Sequence, residues 1–381
     1  MHQEPAAASP PERRQGPPWL MEEMIAVEPA LVSPTFSAAE PAARVASLIR
    51  VAADDRRPIV VTGCGTSENA AMAVADLIAQ ALDGGAGRNP MVRSEQALEA
   101  SLQPWRGTAC IGISHEASTR ATILAMEAAR AGGGRTALIT ARPRGLAADA
   151  ADCVFTTPLV DRSWCHTVGY FSPLLAGAAI AAALSRSSLD PNGLERALGE
   201  VLGLAAEADR LTQALFGAQS ILTAGSGPDR SLARELALKI TEGARVPAHM
   251  LDLETALHGH LTACDQRTGL VIVATGDEER AVTRAAMLAR AARGIGLRVG
   301  AIVSETAGAA LDEATTDAGR LVLPASLRPH GLIGRLSGAA LALQRLTLSL
   351  VHLAGVNPDL IRTDEAGYRE AAHIAFEETG W

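Results

Sequence analysis

The first ordered pattern in the chain is helical. Apolar residues recur at three- and four-residue spacing over Trp19–Val32 and again over Ser37–Ala53. Short apolar runs then alternate with helical stretches. Pro58–Thr62 (PIVVT) is apolar almost throughout, which predicts a strand of a parallel sheet buried on both faces. The turn GCGTS follows it, and the spacing predicts a helix over Asn69–Leu82. Further strands are expected at Met91–Ser94, Ala109–Ile113, Thr136–Thr140 and Cys153–Thr157. The segment SHEAST and a helix running to about Arg130 follow Ala109–Ile113. Such an order gives an α/β fold, a parallel sheet with helices on both faces. Val168–Leu184 is nearly all apolar, but it contains Pro173, is short for a bilayer span and lacks basic flanks. It is expected to be a buried helix, with no membrane partner.

The pattern then starts again. A helical stretch over Asn192–Leu215 precedes a strand at Ser220–Ala224 (SILTA), the turn GSGPD and a helix over Arg230–Gly243. Strands are expected at Leu270–Thr275, Arg298–Val303 and Arg320–Leu323, with a helix ending near Arg293. The glycine turns Gly63–Ser67 and Gly225–Pro228 occupy equivalent places, so the chain reads as a duplication of one α/β unit. The expected organisation is a disordered tail over 1–17, a first domain over 18–190 that includes the amino-terminal helices, a second over 191–355, and a terminal segment over 356–381.

Composition sharpens this picture. The chain has 381 residues, enough for two domains, and is 48% hydrophobic but only 3% aromatic, as expected of closely packed small side chains. A net charge of −8 without a basic run argues against nucleic acid as a partner. Cys64, Cys110, Cys153, Cys165 and Cys264 show neither metal nor disulfide spacing, which points to a reducing, cytoplasmic setting. No metal site or cofactor is expected. Residues 1–17 lack the apolar core of a signal peptide.

Lys239 is the only lysine among 34 basic residues. It lies in ELALKITEG, beside the apolar face of its helix and one turn before Glu242, either as a solvated ion pair or as an acid–base pair of a site. Two loops of the first half stand where ligands bind, beyond the carboxyl ends of parallel strands. One offers Gly65, Thr66 and Ser67, the other Ser114, His115, Glu116, Ser118 and Thr119. Both open helices, whose free N–H groups suit an anion such as a phosphate. Neither is a dinucleotide fingerprint or a P-loop, so dinucleotides and ATP are not expected.

In combination, GCGTS, the S-x-x-x-x-T loop, ELALKITEG and LHG resemble the sugar isomerase (SIS) family. The similarity is to the isomerase half of glutamine–fructose-6-phosphate aminotransferase and to related amino-sugar-phosphate deaminases and fructosamine deglycases. It implies two tandem SIS domains of flavodoxin-like architecture and a soluble sugar-phosphate enzyme. It implies a phosphate loop at Ser114, His115, Glu116 and Thr119 and a first-strand loop at Gly65, Thr66 and Ser67. Glu242 is implied as catalytic base with Lys239 beside it, and His258 as the ring-opening histidine. In relatives that histidine often comes from a second subunit, so a homodimer with shared sites is implied.

The expected function is isomerisation and deamination of an amino sugar phosphate by proton transfer between C1 and C2. The alternatives are a fructosamine-6-phosphate deglycase and a non-catalytic sugar-phosphate-binding regulator. There are departures from the family pattern. No glutaminase half is present. NPDLIRTDEAGY replaces the family's terminal lysine segment, with Arg362 expected near the site. Trp164 is expected to narrow the pocket. Glu116 stands where relatives carry a small hydroxyl. At about 4 Å from a phosphate charge it would repel by about 4 kcal/mol at an effective dielectric of 20. It is therefore expected either to turn away or to signal a different ligand.

Overall fold

The computed structural model describes residues 10–83 and 91–376. The expected amino-terminal tail lies outside the described residues up to residue 9, and the last five residues of the expected terminal segment do as well. The described chain forms two compact units, residues 10–13, 30–191 and 362–376 in the first and residues 14–29 and 192–361 in the second.

The first unit holds strands β1 (Ile59–Gly63), β2 (Val92–Gln96), β3 (Ala109–Ile113), β4 (Arg135–Thr140) and β5 (Cys153–Thr156). They make one parallel sheet in the order β2-β1-β3-β4-β5. The central strands β1 and β3 are buried at every position, as their unbroken apolar runs require. The helix Val168–Ser185 is expected from its apolarity to be core, and it is: fourteen of its residues are buried. It packs on the helix Thr66–Asp83, where Gly177 leaves room for the Val74 side chain.

The second unit repeats the plan with β6 (Ser220–Gly225), β7 (Ala248–Asp252), β8 (Thr268–Ala274), β9 (Arg298–Val303) and β10 (Gly319–Val322). The order β7-β6-β8-β9-β10 is again parallel and repeats that of the first unit strand for strand. This is the doubly wound order in which the sheet reverses direction beside its first strand. Strand β7 has no counterpart in the sequence reading, because AHMLD carries no apolar run and is only half-buried. Pairing with β6 makes it a strand.

Chain order and spatial order part at the amino terminus. The helical stretch Trp19–Val32 is a helix at Leu20–Val27, a 3-10 turn at Glu28–Leu31 and a second helix at Val32–Phe36. The first helix belongs to the second unit, where buried Asp359 accepts the N–H groups of Leu20 and Met21 at 2.9 and 2.8 Å. Arg14 is tied down beside it, donating to the Pro18 carbonyl and pairing with Glu23. The stretch Asn192–Leu215 is likewise two helices, Pro191–Leu202 and Ala205–Leu215, with Gly203 between them.

Both glycine turns have a steric cause. A Cβ on Gly63 would lie 2.7 Å from the Ser67 carbonyl, and one on Gly225 2.6 Å from that of Asp229. The helix backbone passes too close to the strand end for any side chain. Gly63→Ala should therefore destabilise by about 1–3 kcal/mol, the usual cost of overpacking. Gly199, inside the helix Pro191–Leu202 with nothing within 4 Å of its added Cβ, should gain about 0.5–1 kcal/mol as alanine. Denaturant melts of the two variants check both signs.

Candidate functional site

In the first unit β1 runs into the turn Gly63–Gly65, where Gly65 has φ +56°. Thr66 opens the following helix and is buried, with Ser67 half-buried beside it. The β3 end carries the second expected loop. Ser114 is fully buried and its hydroxyl donates to Thr119 Oγ1 at 3.1 Å. Thr119 stands at the start of the helix Arg120–Ala131. Ala117 is held at φ +54°, a left-handed conformation that costs a non-glycine residue energy. The neighbouring loop fixes it: Ala141 N–H and the Thr140 hydroxyl donate to the His115 carbonyl, and Ala147 N–H to that of Ala117.

Glu116 does not stand alone in this loop. It is ion-paired with the Arg142 guanidinium, which enters from the end of β4. Its charge is thereby matched, and the repulsion expected of it does not arise in the simple form. Arg142 was not singled out in the sequence, although its place just beyond a strand end was a usable signal.

His115 is buried, and its Nε2 accepts the Asp161 N–H at 2.8 Å, so the neutral ring carries its proton on Nδ1. Burial and the neighbouring His166 push its pKa down to about 4, against the opposing pull of Asp161 and Glu116. The His115 and His166 rings lie 5.2 Å apart. Asp161 is a buried carboxylate that accepts the N–H groups of Ser163, Thr167 and Gly169 at 3.0, 2.7 and 3.1 Å. Burial alone would raise its pKa. The nearby His166 and the backbone donors outweigh burial and hold it below the usual carboxylate range. Trp164 lies half-buried in this same segment. Asp161, which organises the segment, was missed in the sequence because its partners are backbone groups brought there by the chain's return.

The second unit holds the acid–base group. The helix expected to run to Gly243 ends as an α-helix at Lys239 and continues as a π-helical turn, Ile240–Ala244, closed by Arg245 at φ +59°. Such turns recur at functional sites because the extra residue re-aims the side chains that follow. Lys239 is fully buried, so the solvated ion pair is excluded. Its Nζ is paired with Glu242 and lies 3.6 Å from Glu235, also fully buried. Glu242 keeps 24% of its side chain exposed. One end of this buried network thus reaches a surface from which it can exchange a proton.

His258 stands apart from that network. It caps the helix Leu253–Leu257, is 76% exposed, and its Nε2 lies 3.3 Å from Glu254, which Arg284 also holds. Among the described residues no hydrogen bond or ion pair joins it to Glu242. Arg362 belongs with the first unit at φ +71°, pairing with Glu365 at 2.9 Å and covering the Tyr368 ring at 3.9 Å. Its described contacts stay within the terminal segment, and none reaches the Ser114–Thr119 loop.

Residues 214–311 match the SIS domain family. This segment is similar to a SIS domain. It spans the first four strands of the second unit, and the first unit repeats the SIS-like fold. The chain is 26% identical over 240 residues to glutamine–fructose-6-phosphate aminotransferase [isomerizing] 1 of Arabidopsis thaliana, over 58% of this chain and 34% of that protein. It therefore spans about a third of the length of that curated relative. Among solved structures it superimposes on the C-terminal domain of glucosamine-fructose-6-phosphate aminotransferase from Francisella tularensis. The TM-score is 0.75 at 19% identity, over 90% of this chain and 98% of that one. Tagatose-6-phosphate ketose/aldose isomerase from Escherichia coli gives 0.72 at 18% identity, over 93% and 98%. These likenesses establish the shared fold of both units.

His115 sets a pH limit on the first unit. Its folded pKa lies below the ordinary 6.5, so the unfolded chain takes up the proton first. Stability contributed by the neutral ring is whole above pH 6.5 and is lost as pH falls towards about 4, on the order of 3 kcal/mol in all. Urea melts between pH 7 and 4.5 should show this loss, and His115→Gln should flatten it.

Proposed function

We propose that the chain is a SIS-type phosphosugar isomerase acting on an amino sugar phosphate, with loss of the amine. The carrying observation is Glu242 on its π-helical turn, paired with a fully buried Lys239 that also faces Glu235. A carboxylate held by one cation and open to the surface can take a proton from carbon and give it back. In an open-chain 2-amino aldose, Glu242 removes the C2 proton and the electrons pass to the C1 carbonyl. Returning a proton to C1 leaves an imine at C2, and water then releases ammonia and the ketose. Lys239 holds the Glu242 carboxylate in place between turnovers. The Ser114–Thr119 loop of the first unit holds the phosphate, and His258 opens the sugar ring, supplied by the second subunit of a homodimer. The exposure of His258 and its separation from Glu242 support that last assignment. Five free cysteines fit a cytoplasmic enzyme.

Glu242→Gln should fold, bind sugar phosphate and lose about 10²–10⁴-fold in turnover, the usual worth of a positioned base. Ammonia release from glucosamine-6-phosphate is the assay, and wild-type turnover in that variant would overturn the role of Glu242. Lys239→Met should instead both inactivate and destabilise by about 3–5 kcal/mol, because it removes the cation that faces the buried Glu235 and pairs with Glu242. Mixed dimers of His258→Ala and Glu242→Gln subunits should recover part of the activity that each homodimer lacks. Verified mixed dimers without recovery would show that each site is built from one chain.

A further inference from the structure

The duplication supplies an internal control for the anion loop. In register with the paired strands, Gly63 and Gly225 coincide, so Ser67 corresponds to Asp229, and the loop after β3 corresponds to the loop after β8. In the second unit that place is filled by the chain itself. Asp229 is buried, and its carboxylate accepts the N–H of Thr275 at 2.8 Å and the Thr275 hydroxyl. The Gly276 N–H and the Arg335 charge lie nearby. The Arg335 guanidinium reaches so close to Gly276 that a Cβ there would lie 2.6 Å from it. So this turn, in this fold, holds an anionic oxygen pair with an arginine beside it.

In the first unit the residue at that place is Ser67, too short to fill it. The N–H groups of His115 and Glu116 meet no acceptor among the described residues. His115 is kept neutral, so it brings no charge. The positive charge here is Arg142. Glu116 engages its Nε, and its two terminal amino groups carry no hydrogen bond among the described residues. A guanidinium held from behind by a carboxylate is set to present its fork to an anion.

We propose that Arg142, positioned by Glu116, is a direct ligand of the substrate's phosphate in the first unit, in the place that Asp229 fills in the second. Glu116 is thus a positioning residue for the arginine and not a repelling charge. The inference rests on the functional reading above for the identity of the substrate, but the anion site stands without it. It gives the site a fork of guanidinium donors that a loop of hydroxyls and N–H groups alone would not supply.

Calorimetric titration with glucosamine-6-phosphate, inorganic phosphate and unphosphorylated glucosamine tests it. Arg142→Gln should weaken both phosphates about 10- to 100-fold, the range for losing one charge-assisted pair, with melting temperature unchanged. Glu116→Gln should also weaken them, although it removes a negative charge. Ser67→Asp should abolish binding by filling the first site as the second is filled. Tighter binding by Glu116→Gln, or unchanged binding by Arg142→Gln, would overturn the proposal. Absence of phosphate binding in the wild-type protein would overturn both the proposal and the functional reading. Arg142-dependent phosphate binding without turnover of any amino sugar phosphate would overturn the functional reading and leave the site standing.

Discussion

A helix that begins within contact distance of the strand it follows leaves no room for a side chain at the strand's last residue. That constraint acts twice in this protein, at Gly63 against Ser67 and at Gly225 against Asp229. It brings the first turn of each helix against the end of the neighbouring strand, and so aims free backbone N–H groups at one point. Both halves depend on it, because each sheet is wound outward from the strand that ends in this glycine. The winding of each sheet and the placing of its first loop are consequences of the same close approach.

The two units then use the same geometry in different ways. Asp229 is held within its own unit: desolvation raises its pKa, and the Thr275 N–H and hydroxyl hold it in place. Ser67 stands at the matching place in the first unit, and the nearby charges, Glu116 and Arg142, are paired with each other. Two further groups pair buried charge with partners. Lys239 lies between Glu235 and Glu242, and Asp161 is wrapped in backbone donors with His166 beside it. Leaving any member unpaired costs several kcal/mol, so such groups fix side-chain positions sharply as well as stabilising the fold.

Much of the architecture was legible in the chain. The continuous apolar runs of β1, β3 and β8 can only be strands covered on both faces, and the glycine turns that follow β1 and β6 mark the repeat. Strand β7 was not legible, because its residues alternate weakly and only the β6 edge gives them partners. The break after Leu202 and the passage of the first helix into the second unit depend on contacts with residues far along the chain, such as Asp359. The candidate site divided in the same way. Glu242, Lys239, Ser114 and Thr119 stood out by type and spacing, whereas Asp161 and Arg142 act through partners 46 and 26 positions away.

By itself, then, the sequence determined the α/β class, the duplication, the two glycine turns and the residue types that could carry proton transfer. These follow from local periodicity and from steric limits on single residues, which need no knowledge of distant chain. Tertiary structure decided three things that spacing leaves open. It made Lys239 a fully buried cation held by two carboxylates and not a solvated partner of one. It converted Glu116 from an apparent obstacle to anions into half of an ion pair with Arg142. It set the Asp229 carboxylate of one glycine turn against the N–H and hydroxyl of Thr275, where the equivalent turn carries Ser67. Each concerns the charge environment of a side chain, which is set by burial and by partners from other elements, and both exist only once the chain has folded.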